Sequence, residues 1–297
     1  MKNLKFILIA LVALFISASV VAQEKPTSLT LPSVVGSNMV LQHDATVNIW
    51  GWAKPKATVK INPSWLNLKK PLKVKADAEG FWILPVETQA ASFDPHTITI
   101  SCKKEVKVLE NVVFGEVWLC AGQSNMEWPV RKTPDMQHYI KGEKNPYIRL
   151  YCTGRITAAT PQTEVPAQKK HKTQWSICNA KSLANFSAVG YGFGKELQEN
   201  LNVPIGLIDA SYGGTCVEGW LSAEYLANNP KVAATAKKLK NKKWAKKISH
   251  LHNANIYPIR HTTIAGVIWY QGCSNVSSCG TYYTLLTHLV KSWREEF

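Results

Sequence analysis

The sequence predicts an α/β fold, a parallel sheet with flanking helices, preceded by an all-β sandwich. Three observations point there. Up to about residue 112 the chain is a series of short runs of period two separated by turn residues. After residue 112 come continuous apolar runs of the kind buried on both faces of a parallel sheet: VVFGEVWLCAG, VPIGLIDAS and AGVIWYQG. Helical stripes lie between and after those runs, and strands that alternate with helices imply a covered parallel sheet.

In chain order, residues 1–22 read as an export signal. Lys2 and Lys5 precede an apolar core from Phe6 to Ile16, and Val20-Val21-Ala22 precedes a cut at Gln23. A retained membrane anchor is the alternative reading of the same stretch. After signal cleavage no membrane association is expected.

Residues 23–112 form the expected sandwich domain. ATVNIWGWA, ATVKI, PLKVKA, FWILPV and HTITI alternate in polarity, and Lys54-Pro55, Asn62-Pro63, Asp77 to Gly80 and Asp94-Pro95 supply the turns. Residues 113–297 form the α/β domain. In it FSAVGYGFGKELQENL places Val189, Phe193, Leu197 and Leu201 four apart on one helix face. The tail YYTLLTHLVKSWREEF carries Tyr282, Leu285, Leu286, Leu289, Val290 and Trp293 on another stripe.

With 45% hydrophobic residues and eleven tryptophans, the chain is not disordered. The formal charge of +15 is concentrated in Lys237 to Lys247, which holds seven lysines. An exported chain with only Trp244 interleaved there is read as having a solvated helix face or an acidic-polysaccharide contact, not a nucleic-acid site. Seven cysteines without any C-x-x-C pair give little support to a structural zinc site. One or two disulfides are open to an exported chain, with Cys273–Cys279 a short-loop candidate.

Each apolar strand ends in a Gly-bearing polar loop: Gly122-Gln123-Ser124-Asn125, Ser211-Tyr212-Gly213-Gly214-Thr215, and Gln271-Gly272-Cys273-Ser274-Asn275. Ligands of open α/β sheets bind beyond the carboxyl ends of the strands, so the three loops are expected to meet at one site. Acyl transfer needs a nucleophile, a base and donors for the oxyanion. Ser124 offers the nucleophile, Gly213 and Gly214 offer accessible N–H groups, and Asn275 offers a side-chain amide. Read singly, Ser124 is a helix N-cap, the Gly-Gly pair a turn, and Asn275 a turn or capping residue. The α/β-hydrolase elbow G-x-S-x-G is excluded by Met126.

VWLCAGQSNMEW, IDASYGGTCVEGW and GVIWYQGCSNV resemble, in this order, three blocks of the sialate O-acetylesterase-like family of SGNH (GDSL-like) hydrolases. GSNMVLQHDATVNIWGWA, NANIYP and SWREEF are similar to the family as well, so the resemblance runs from about Leu31 to Phe297. It implies a secreted or periplasmic carbohydrate esterase acting on acetylated sugars by serine acyl transfer, without metal or organic cofactor. Ser124 would be the nucleophile, Gly213 or Gly214 and Asn275 the oxyanion donors, and Gln123, Asn125 and Gln271 would line the site.

Two departures follow from the resemblance. Cys273 stands where the third block usually has glutamate. The family's catalytic Asp and His lie together, as D-x-x-H, well after the third block, and no such pair follows Asn275 here. The α/β domain is therefore expected to lack its C-terminal part, with its last strand left uncovered at an edge or face and its activity in doubt. The rival reading is a non-catalytic carbohydrate-binding protein, with Trp50, Trp52, Trp65 and Trp82 stacking on sugars or, alternatively, filling the sandwich core.

Overall fold

The computed structural model describes residues 25–142, 144–166, 173–239 and 247–297. The expected export signal, His171 and the centre of the lysine run lie outside the described residues.

The front of the chain is β structure, as its alternating pattern requires. β1 (Val40–Gln42), β2 (Thr46–Trp52), β3 (Thr58–Pro63), β4 (Leu72–Lys75), β5 (Phe81–Glu87) and β6 (Ser92–Cys102) precede β7 (Glu105–Gly122). In β3 the residues Val59, Ile61 and Pro63 face inward while Thr58, Lys60 and Asn62 face water. β4, β3, β6 and the first part of β7 form an antiparallel layer, and β2 and β5 form a separate antiparallel ribbon. Val47 and Ile49 from the ribbon and Val59, Ile61, Ile98 and Ile100 from the larger layer share one buried core. Trp50, Trp65 and Trp82 belong to that core, so they are not available to stack on a sugar.

β7 does not stop at the expected domain boundary after residue 112. Its 18 residues run from the antiparallel layer into the parallel one. β8 (Lys144–Cys152), β9 (Ser176–Asn179), β10 (Ile205–Ser211) and β11 (Gly266–Tyr270) complete the rear sheet. β10 and β11 flank β7 in parallel, β8 lies beyond β10, and β9 is antiparallel to β8. The three apolar runs read from the sequence are β7, β10 and β11.

The helices are α1 (Ser124–Glu127), α2 (Gln137–Gly142), α3 (Ala180–Leu183), α4 (Ala188–Leu201), α5 (Ala223–Asn228), α6 (Pro230–Ala236) and α7 (Cys279–Glu296). The Ser187 hydroxyl caps α4 by accepting from Gly190 N–H at 2.9 Å, and Asn202 ends it with φ of 52°. The buried face of α4 differs from the four-apart stripe. Ala188, Gly190, Tyr191 and Gly194 are buried, whereas Val189 and Leu201 are exposed. Small residues won that face because they let the helix sit close to β10: a Cβ on Gly194 would come within 2.6 Å of Leu207. In α7 the stripe holds better, with Leu285, Leu289 and Trp293 buried.

β11 has β7 as its sole strand neighbour among the described residues, and its side chains are only partly buried. An apolar groove of about 520 Å³ runs along it, walled by Ile264, Val267, Trp269, Leu286 and Phe297. None of the seven cysteines is joined in a disulfide, so the short-loop pair Cys273–Cys279 is not formed.

Gly115 marks the crossing of β7 with the chain entering β10, where an added Cβ would lie 1.9 Å from the Pro204 carbonyl oxygen. Neither backbone can yield without breaking the pairing. Gly115→Ala is expected to cost about 1–3 kcal/mol, the range for overpacking, and to lower the melting midpoint by several degrees in a circular-dichroism melt.

Candidate active site

Ser211 of β10 and Tyr270 of β11 are both in register with Gly122 of β7. Three parallel strands therefore end level with one another, and their loops emerge side by side. Gly122 takes φ of 147°, and a Cβ there would come 2.3 Å from the Tyr270 carbonyl oxygen, so the turn out of β7 needs glycine.

Ser124 is the first helical residue of α1, and Gln123 holds the cap position without a side-chain cap bond. The capping interpretation of Ser124 is thus not realised. Its side chain is exposed, and its hydroxyl has no hydrogen-bond partner among the described residues. Gly213 lies against it: a Cβ on Gly213 would be 3.6 Å from Ser124 Cβ. Gly214, with φ of 75°, faces open space. Asn125, next on α1, is exposed on the same rim.

Gln123 is almost wholly buried and ties the first loop to the third. Its Oε1 accepts from Gln271 Nε2 at 3.1 Å, Ser274 N–H at 3.1 Å and Gly272 N–H at 3.3 Å. Gln271 Nε2 also donates to the Thr215 carbonyl at 3.0 Å and to Asn275 Oδ1 at 2.8 Å. Asn275 Oδ1 accepts Val217 N–H at 3.0 Å, while its Nδ2 donates to Glu218 Oε2 at 2.9 Å and more weakly to Ser278 Oγ at 3.4 Å. One continuous network therefore joins all three loops.

Several site residues escaped the sequence reading. Glu127 accepts the Gly213 N–H and pairs with Arg155, whose side chain is largely exposed. Its signal was its place three residues after Ser124, on the same helical turn. Arg155 follows the end of β8, a strand interrupted by a buried arginine, Arg149, and so not recognised as apolar. Glu218 is fully buried and supplies a carboxylate to Asn275 from the second loop, although Cys273 occupies the usual glutamate position in the third and is exposed. Nothing in the run VEGW marks that glutamate as interior.

Asp209 sits in β10 between Cys120 of β7 and Cys152 of β8. Burial pushes its carboxyl up to about 6, against hydrogen bonds from the Ser211 N–H and hydroxyl that favour its charge, and nearby Glu127 raises it further. Burial likewise pushes both thiols well up, which leaves them protonated and unreactive.

No described histidine is hydrogen-bonded to Ser124. His252 binds Glu296, His288 binds Tyr225, His43 binds Glu116, and His261 packs against Trp50. The sequence does hold one D-x-x-H, upstream of the third block, at Asp135 to His138, contrary to the expectation that no histidine sits in such a pair. Both residues are exposed, and they are not hydrogen-bonded to each other. Among the described residues no group of three or more His, Cys, Asp or Glu is placed to hold a metal ion.

Residues 114–297 match the family described as carbohydrate esterase, sialic acid-specific acetylesterase. The chain is 30% identical over 283 residues to the sialate O-acetylesterase of Homo sapiens, covering 89% of this chain and 53% of the relative. It is 27% identical to that of Mus musculus, again over 89% of this chain and 56% of the relative. It is also similar to the crystal structure of a carbohydrate acetylesterase from Xanthomonas citri, with a TM-score of 0.78 and 28% identity over 90% of this chain and 57% of the other. The chain spans about half the length of the curated relatives it matches.

Two outcomes are expected from this geometry. Gln123→Leu leaves the buried N–H groups of Gly272 and Ser274 without an acceptor and should destabilise the fold by about 1–3 kcal/mol in urea titrations. For Asp209, the folded form retains a proton between pH of about 4 and about 6 that the unfolded chain has already released. Its contribution to stability therefore falls as pH rises through that window and is constant above it. Asp209→Asn should remove this component of the slope between pH 4 and 7.

Proposed function

Because the chain belongs to the sialic acid-specific acetylesterase family of carbohydrate esterases, we propose that its cleft hydrolyses acetyl esters on sugars with Ser124 as nucleophile. The observation that carries the proposal is the placement of Ser124. It stands exposed at the end of a central parallel strand, it caps nothing, and a glycine loop backs against it. A structural serine at a helix start would have its hydroxyl turned to the backbone.

In this reading Ser124 Oγ attacks the acetyl carbonyl, and the alkoxide that develops is held by the second and third loops. Gly214 is the better disposed of the two glycines, since the Gly213 N–H is engaged by Glu127. Asn275 is buried with its Oδ1 held by Val217 and Gln271 and its Nδ2 by Glu218, so it serves the oxyanion only through the hydrogen now on Ser278. Gln123 and Gln271 fix the loops, and Asn125 lines the rim. No general base is assigned among the described residues. No metal or organic cofactor takes part.

The front β layers are read as a sandwich domain that supports the esterase domain. Export, expected from residues 1–22, suits a glycan substrate outside the cytoplasm. No helix among the described residues is long and apolar enough to cross a membrane.

Acetate release from an aryl acetate and from acetylated xylan or sialic acid tests the proposal. Any acetate release by the parent should fall to background in Ser124→Ala with an unchanged melting midpoint, because the hydroxyl bonds to nothing in the fold. A variant that keeps the parent rate would remove Ser124 from the mechanism.

A further inference from the structure

A second concave site lies away from the Ser124 cleft. It has a volume of about 600 Å³, within the range of about 300–1,000 Å³ usual for small-molecule sites. It opens where α5, the turns between residues 252 and 261, and the last turn of α7 meet. None of the residues in the three catalytic loops lines it. α7 leads from the third loop to this cavity, and its 18 residues span about 27 Å at 1.5 Å per residue.

The chemistry of the wall restricts the ligand. Glu224, Arg260, Glu296 and His252 form a run of alternating character. Arg260 feels both carboxylates, and His252 Nε2 bonds both Glu296 oxygens at 2.8 and 2.9 Å. Burial, and then the neighbouring Arg260, hold His261 near 4, so it adds no charge at neutral pH. Glu224 and Glu296 have Arg260 beside them and Glu296 also has His252, while Glu295 stands exposed at the rim, so an anionic ligand has little to gain here. Asn228 adds an exposed amide at the rim. At the floor, Asn253 Oδ1 and Ser292 Oγ have no hydrogen-bond partner, so hydrogen-bonding capacity is unused there.

A hydroxyl donates to carboxylates and accepts from amide and guanidinium at the same site, and several of them fill a cavity of this size with matched hydrogen bonds. We propose that this cavity binds a neutral, polyhydroxylated ligand, an uncharged sugar unit, independently of Ser124. An anionic sugar would face Glu224, Glu295 and Glu296, and the unused acceptors and donors at the floor call for hydrogen bonds and not for a charge.

Saturation-transfer NMR and calorimetry on the whole protein test it, with neutral xylo-oligosaccharides, a cationic chitosan oligomer and an anionic oligogalacturonate as probes. Binding of the neutral probe is expected, equal in the parent and in Ser124→Ala. Ala223→Trp, on the exposed rim, should fill the cavity and weaken that binding at least tenfold. Glu224→Gln with Asn228→Leu should weaken it without adding bulk and stands in should the tryptophan perturb α5. No transfer to the neutral probe, binding of the charged probes alone, or unchanged affinity in the rim variants would each overturn the proposal. Loss of binding in Ser124→Ala would also overturn it, by placing the sugar in the catalytic cleft.

Discussion

The site depends on one constraint, the level ending of three parallel strands at Gly122. A slip of one residue in β10 or β11 would turn every side chain of that strand to the other face. The register of β10 holds because that strand is buried along nearly its whole length, and β11, partly buried, is held by its pairing with β7. Once their ends are level, Gly213 reaches Ser124 and Gln271 reaches Gln123 without further adjustment. Ser124 can then be left without a structural duty, since Gln123, Gln271 and Asn275 carry the polar connections between loops.

Those connections explain why buried amides are so numerous at this end of the sheet. A buried amide is tolerable only when its donors and acceptors are met. Gln123 Oε1 and Asn275 Oδ1 each take more than one donor, and Glu218 is held inside by Asn275. Such a network has few alternative arrangements, so the loops keep a defined shape around an exposed hydroxyl.

Much of this was legible in the residues. The period-two runs, the three apolar strands, α7 and the convergence of the three loops follow from patterning alone. What escaped has a common cause: it depends on contacts between distant segments. The buried face of α4 was misjudged because a helix that packs through glycine presents no large apolar stripe. Glu127 and Arg155 meet only after α1 and the end of β8 are placed at the same edge. Glu218 can be interior because Asn275, 57 residues later, donates a hydrogen bond to its carboxylate. The role of Gln123 as the tie to the third loop, instead of a cap on α1, likewise requires knowing which strand lies next to β7.

The continuity of β7 has a consequence for how the molecule comes apart. Residues 105–122 hydrogen-bond to β6 and β1 at one end and to β10 and β11 at the other. The antiparallel and parallel layers therefore share covalent backbone inside a single strand, with no linker at which one could melt while the other persists. Loss of order in either layer frays a strand of the other, so the two behave as one cooperative unit and signals from each should decay together on denaturation. The same sharing delays assembly. The parallel half of β7 must wait for partners that lie about 90 to 150 residues further along the chain, a long-range closure of the kind associated with slow folding.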